Sequence, residues 1–334
     1  MRSLLRQLFY FIFLTASLLL SHGLCANESP AYLVNALKIK TLAIAYERYE
    51  VQGNFNSIVI PIKRAGKLIL IDAYADSVSG SLILDTGSAG IVLNQIYFRN
   101  ERKSSGQQSG GITGKLRNTK KTKIKKLSFD EIVFENIMVD LVDLGHLEKV
   151  REVKILGFFG LCLFRDFELV LDLKNNVLEL HRLNDEGWRL SQQPVPVPDL
   201  ELEVYNYSDV FFVEGRIANR RLIFCLDTGA ESNVLDSYLS DKILKTVKIL
   251  SRSSLRGVGK QEKEVFYGLM NEFILNDKAY PPMQTIITNL SQMSDSYGME
   301  IHGMLGCNFF EQGVYYLNMK TDVLGVVFHE QIKP

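Results

Sequence analysis

The sequence predicts an all-β fold of two tandem β-barrel lobes that form a pseudo-dimer around a central cleft. Three observations carry that expectation. The tripeptide Asp-Thr-Gly occurs twice, as Asp85-Thr86-Gly87 and Asp227-Thr228-Gly229, each time closing an apolar run, Leu82-Ile83-Leu84 and Phe224-Cys225-Leu226. A second repeat follows each triplet: Gly157 to Phe164 aligns with Gly303 to Phe310, and the match continues through Leu171/Leu317, Lys174/Lys320 and Val177-Leu178/Val323-Leu324. Third, strand signals recur throughout while helix signals are sparse.

A single Asp-Thr-Gly arises by chance in roughly one in ten chains of this length. The spacing is what makes the pair specific. The aspartates are offset by 227 − 85 = 142 and the later glycines by 306 − 160 = 146, so four inserted residues superpose the halves. An internal duplication of about 140 residues follows.

Taken in order, apolar runs bounded by Gly, Asn and Asp predict strands over Ile58 to Ile62, Leu68 to Ala73, Leu82 to Leu84, Phe129 to Phe134 and Phe167 to Leu173. The second half repeats them over Val210 to Val213, Leu222 to Leu226, Phe266 to Leu275 and Val314 to Met319. A lead-in helix over Tyr32 to Tyr49 and a short helical piece after Ser237 complete the pattern. Between the halves, Pro194, Pro196 and Pro198 alternate in an exposed, extended tether. The expected organisation is therefore a leader over 1–26, a lead-in over 27–50, lobe 1 over 51–190, a linker over 191–200 and lobe 2 over 201–332.

Composition bounds the class. The chain has 334 residues, 46% hydrophobic and 23% charged, with a net charge of zero. That is enough for two cores, and it offers no bulk electrostatic attraction to nucleic acid. Arg2 and Arg6 precede an apolar run from Leu8 to Leu20 and small residues near Cys25 and Ala26, the layout of a secretory signal peptide, so the protein is expected to be exported, periplasmic or secreted. An uncleaved anchor and a lipid-modified Cys25 are the alternatives. Membrane contact is expected only through that leader or anchor. Cys162, Cys225 and Cys307 form no disulfide framework and are expected as buried, inert thiols. The five histidines show neither a link to a cysteine nor metal-ligand spacing, so no cofactor or metal is expected.

Two aspartates delivered on tight turns by like half-domains can meet across a pseudo-twofold axis, share one proton and hold a water between them. Asp85 and Asp227 are the candidate catalytic pair. Gly87 and Gly229 let backbone N–H groups approach the carboxylates. Ser88 and Ala230 differ at the fourth position. A Ser88 hydroxyl bonded to Asp85 would lower that pKa, which makes Asp85 the expected carboxylate and Asp227 the expected acid.

The chain resembles the retropepsin-like aspartic proteases in a fused two-lobe form, over about residues 55 to 330. The resemblance rests on Asp85-Thr86-Gly87-Ser88, Asp227-Thr228-Gly229-Ala230, Phe158-Phe159-Gly160 and Met304-Leu305-Gly306, with Gly110-Gly111-Ile112-Thr113-Gly114 as a flap tip. It implies an aspartic endopeptidase that cleaves polypeptide, a monomer in which the two lobes substitute for two subunits, and Thr86 and Thr228 bonded across the lobe interface. Arg256-Gly257-Val258-Gly259 is a weaker flap counterpart. His302 stands where the family pattern has an acidic residue. Lys115 to Lys126 carries seven basic residues and is expected as a solvated flap arm. A peptide-binding module without turnover and a membrane-tethered structural protein are the competing readings.

Overall fold

The computed structural model describes residues 49–99, 104–105, 109–111, 114–116, 120–256 and 262–330. The leader, the lead-in before Tyr49, the flap residues Ile112 and Thr113, and Gly257 to Gly259 lie outside these residues. The fold is all-β and two-lobed.

The duplication is visible strand by strand. Leu68–Ala75, Val78–Leu84 and Ile91–Asn94 recur 142 residues later (210 − 68 = 142) as Val210–Ile217, Arg220–Leu226 and Asn233–Asp236. Beyond the insertion the offset is 146: helix Gly145–Arg151 recurs as Ser291–Tyr297, and strands Phe167–Asp172 and Val177–Arg182 recur as Gly313–Asn318 and Val323–Phe328. The four extra residues fall where the continuous strand Ile132–Val142 of lobe 1 is replaced by the pieces Ile274–Leu275, Lys278–Ala279 and Met283–Thr288. Pro281 and Pro282, which have no N–H to give a ladder, occupy that break.

One crossing in each lobe positions the site. Ile155–Phe159 lies between Val78–Leu84 and Ile91–Asn94, parallel to the first and antiparallel to the second. All five of its residues are buried, as in a strand covered on both faces. Because its two neighbours are consecutive in sequence, residues 85–90 must pass over its end. Gly303–Leu305 separates Arg220–Leu226 from Asn233–Asp236 in the same way.

A six-stranded sheet unites the halves. Its order is Ser57–Pro61, Val177–Arg182, Phe167–Asp172, then Gly313–Asn318, Val323–Phe328 and Leu200–Glu203. Three strands come from each lobe, joined by the antiparallel seam in which Val170 faces Tyr316. No pattern in either half announces this sheet, since its seam exists only after the lobes meet.

Two expected strands are corrected. Phe129 to Phe134 is a tight turn at Asp130-Glu131 joining Lys120–Phe129 to Ile132–Val142, with Asp130 at φ 51°. Apolar residues on both sides of a two-residue turn imitate one continuous run. Phe266 to Leu275 is likewise interrupted after Met270. The short helix after Ser237 is present as Asp241–Leu244. The linker over 191–198 forms no strand, and Val197 is 91% exposed. Lys123, Lys125 and Lys126 are exposed on the Lys120–Phe129 strand. Cys162, Cys225 and Cys307 are buried free thiols, and burial raises all three above the ordinary thiol range. His302 uses Nδ1 to accept the Ile223 N–H at 3.1 Å, a structural role in the strand entering the second loop.

The later glycines are dictated by close passage under the loops. A Cβ at Gly306 would stand 2.5 Å from the Ala230 carbonyl and 2.6 Å from that of Ser232, and one at Gly160 would overlap the Ser88 carbonyl. Gly90 has open space around it. Gly160→Ala should therefore cost about 2–3 kcal/mol of stability in urea unfolding, whereas Gly90→Ala should change it by less than about 0.5 kcal/mol.

Candidate active site

Each Asp-Thr-Gly turn is held first by its own lobe. The Asp85 N–H donates to the Phe159 carbonyl and the Asp227 N–H to that of Leu305, both at 3.0 Å, continuing the parallel ladders into the loops. The turns close through Ser88 N–H to Asp85 O at 3.0 Å and Ala230 N–H to Asp227 O at 3.2 Å. The apolar strands thus end with each aspartate pinned by its backbone.

The threonines then join the loops. Thr86 Oγ1 donates to the Leu226 carbonyl at 2.8 Å and accepts the Thr228 N–H at 3.0 Å; Thr228 Oγ1 donates to the Leu84 carbonyl at 2.8 Å and accepts the Thr86 N–H at 3.1 Å. Each hydroxyl is both donor and acceptor, and all four bonds are buried. Removing one hydroxyl would leave a buried N–H and a buried carbonyl unpaired, at about 1–3 kcal/mol each.

Across this brace the carboxyls of Asp85 and Asp227 hydrogen-bond to each other, and each residue is 2% exposed. Glycine makes the approach possible. A Cβ at Gly87 would come within 2.7 Å of Asp227 Cγ, and one at Gly229 within 2.7 Å of Asp85 Cγ. Each loop's glycine is the floor on which the opposite carboxyl rests.

The two acids are not equivalent. Burial, then the charge of Asp227 and the hydrogen bond with it, push Asp85 well above the ordinary carboxylate range, against one N–H from Gly87. Burial raises Asp227 as well, but only to about 6, because Asp85 and the N–H groups of Gly229, Ala230 and Gly87 stabilise its charged form. The larger number of backbone donors on Asp227 favours the charge there and the proton on Asp85. This reverses the expectation drawn from Ser88: its hydroxyl bonds the Gly90 carbonyl at 3.2 Å rather than Asp85. The Gly229 and Ala230 N–H groups, at 2.8 and 3.2 Å from Asp227 Oδ1, decide the matter instead.

Three residues near the loops were not singled out by sequence. Arg151 and Glu231 form a buried ion pair between the end of the lobe 1 helix and the residue after the second loop. Tyr297, ending the equivalent lobe 2 helix, is buried edge-on to Phe212 and donates to the Gly87 carbonyl at 3.4 Å. Their signal was positional: Arg151 and Tyr297 each stand nine residues before a repeat glycine (160 − 151 = 9; 306 − 297 = 9).

The flap residues Gly110 and Gly111 lie on strand Ser109–Gly111 and Gly114 begins Gly114–Leu116, the two paired antiparallel with Gly111 opposite Gly114. The first of these strands lies within 8 Å, Cα to Cα, of the lobe 2 helix Ser291–Tyr297. A hairpin of lobe 1 therefore reaches a helix of lobe 2.

No protein-family model matches the sequence, and neither does any curated protein. Solved structures similar to the chain include edgp and basic 7S globulin from soybean, each 10% identical at a TM-score of 0.46, covering 82% of this chain and 96% and 95% of theirs. A likeness that remote says nothing of function.

The dyad also makes stability depend on pH. Both folded-state values lie above the ordinary 3.8, so the folded protein binds these protons more tightly than the unfolded chain does. That contribution is fully present below about pH 4 and is lost as pH rises through about 6 and on through the Asp85 value. Asp85→Asn, which removes a group that folds protonated but ionises when unfolded, should gain thermal stability relative to wild type as pH rises from 4 to 8, as a pH series of melting curves would measure.

Proposed function

We propose that the protein is an aspartic endopeptidase that hydrolyses peptide bonds with a water held between Asp85 and Asp227. The observation that carries this reading is the hydrogen-bonded, buried pair of unequal acids, one from each lobe, on loops locked by the crossed threonines. Such a pair supplies a base and an acid at once.

The ionised Asp227 accepts a proton from the water while its oxygen attacks the peptide carbonyl carbon. Asp85 gives its proton to the carbonyl oxygen, so charge does not accumulate on the tetrahedral intermediate. Asp227 then gives its proton to the amine nitrogen while Asp85 takes one back from a hydroxyl of the intermediate, the C–N bond breaks, and the products are a carboxylic acid and an amine with the dyad restored. Thr86, Gly87, Thr228, Gly229 and Ala230 hold the carboxyls; Ser88 holds its own turn. An extended polypeptide is the proposed occupant of the space between the lobes, and the segment Gly110 to Gly114, whose strand Ser109–Gly111 approaches the lobe 2 helix, is the proposed lid over it.

Asp85→Asn and Asp227→Asn should each lose at least about a thousandfold in hydrolysis of an unfolded protein, and the double variant should be little worse, because the two groups act as a unit. Activity should rise as pH climbs through about 6, where Asp227 ionises, and fall again once Asp85 loses its proton. Substantial turnover by either folded single variant would place the chemistry elsewhere.

Export completes the proposal. Mass spectrometry of the purified mature protein should find its N-terminus near Ala26 or Asn27. An intact Met1 would reject export with cleavage, and a diacylglyceryl group on Cys25 would select the lipoprotein alternative.

A further inference from the structure

The two lobes share one backbone plan, so any contact from lobe 1 to lobe 2 has a pseudo-equivalent running the other way. At the turn before Leu68, Lys67 Nζ reaches Glu311 of lobe 2 at 3.0 Å, and Arg64 reaches the same carboxylate at 3.5 Å. The equivalent of Lys67 is Asp209 (209 − 67 = 142), and the equivalent of Glu311 is Arg165 (311 − 165 = 146). These also pair: Arg165 Nε and Nη2 meet Asp209 Oδ1 and Oδ2 at 2.8 and 2.5 Å in a bidentate clamp. The geometry is duplicated while the charges are exchanged. Lobe 1 presents the cation at both ends, and lobe 2 the anion.

A third position repeats the asymmetry. Arg151 of lobe 1 is buried against Glu231 of lobe 2. Their equivalents are Tyr297 (297 − 151 = 146) and Ala89 (231 − 89 = 142), where a phenol reaches the Gly87 backbone instead. One further contact runs in the opposite sense: Lys320 of lobe 2 meets Asp166 at 3.5 Å and Asp185 at 3.3 Å, both of lobe 1. Since Lys174 and Gln312 stand at the positions equivalent to Lys320 and Asp166, this more exposed contact favours a lobe 1 pair, so the code rests on the two clamps and the buried Arg151.

We infer that this interface is charge-coded: lobe 1 accepts lobe 2 and rejects a second copy of itself. Two lobe 1 units docked in this geometry would set Lys67 against Arg165 at both ends and bury Arg151 opposite Ala89 with no acceptor. Two lobe 2 units would set Asp209 against Glu311 twice and bury Glu231 beside Tyr297. Like charges facing each other and orphaned buried charges are the repulsive elements by which an interface excludes wrong partners. Exchange of lobes between two chains is then allowed only in the lobe 1 to lobe 2 sense, the sense that brings Asp85 to Asp227. The inference concerns assembly and does not depend on turnover.

Sign reversal in the full chain tests it. Lys67→Glu with Arg165→Glu makes lobe 1 acidic at both ends; Asp209→Lys with Glu311→Lys makes lobe 2 basic. Each reversed chain should melt at least roughly 4 °C below wild type, and further below it than the neutral Lys67→Gln, Arg165→Gln chain. The fourfold variant restores opposite signs at both clamps, Arg64 alone being left beside a like charge at position 311, and should recover more than half of the summed loss. Co-expressed under different tags, the two reversed chains should co-purify as a lobe-exchanged dimer that wild type does not form with either. Reversed chains within about 1 °C of wild type, or a fourfold variant no better than the sum, would overturn the inference. If a reversed chain is insoluble, the fourfold variant alone decides: soluble and cooperative supports the code, insoluble refutes it.

Discussion

Two acidic side chains in hydrogen-bond contact, away from water, set the terms for the rest of this molecule. As two anions they would repel strongly in a dry site. The arrangement survives because one proton is retained between them, because backbone N–H groups converge on Asp227, and because neither loop can retreat. The threonine cross-brace supplies the last condition. Its four buried bonds tie each turn to the carbonyl and N–H of the other lobe, so separating the carboxyls requires breaking polar pairs that have no other partner.

That brace in turn demands the crossings beneath it. Phe159 and Leu305 anchor the aspartate N–H groups, and Gly160 and Gly306 let the chain turn away directly under Ser88 and Ala230. Below lies the six-stranded sheet with three strands from each lobe, its seam close to the pseudo-twofold axis. Lobe 1 packs Phe129, Phe134, Phe159 and Phe164 around its crossing, and lobe 2 packs Phe224, Phe273, Tyr280 and Phe309. The aromatic cores carry rigidity from the sheets to the loops.

A symmetric frame carries asymmetric chemistry. Asp227 receives more backbone donors than Asp85, one helix ends in an arginine and the other in a tyrosine, and the clamp charges are exchanged between lobes. Duplication makes two equivalent positions available at every contact, and the two halves fill them differently: backbone donors distinguish the acids, and side chains distinguish the contacts around them. A dimer of identical lobes would have to break that symmetry by chance of protonation alone.

Much of this was legible in the chain. The paired Asp-Thr-Gly triplets, the 142 and 146 offsets and the glycines that follow are local features, tied to backbone conformations that tolerate few residues, and they pointed to the duplicated β architecture and to the residues that meet at its centre. The strand endings at Phe129 and Met270 were obscured because apolar runs do not record a break of two or three residues. The ionised acid, the Arg151–Glu231 pair, the Tyr297 contact and the shared sheet were decided only by the tertiary structure. Each depends on which atoms approach across the lobe interface, and hydrogen-bond partners and burial at such a distance in sequence leave no periodic mark on either half.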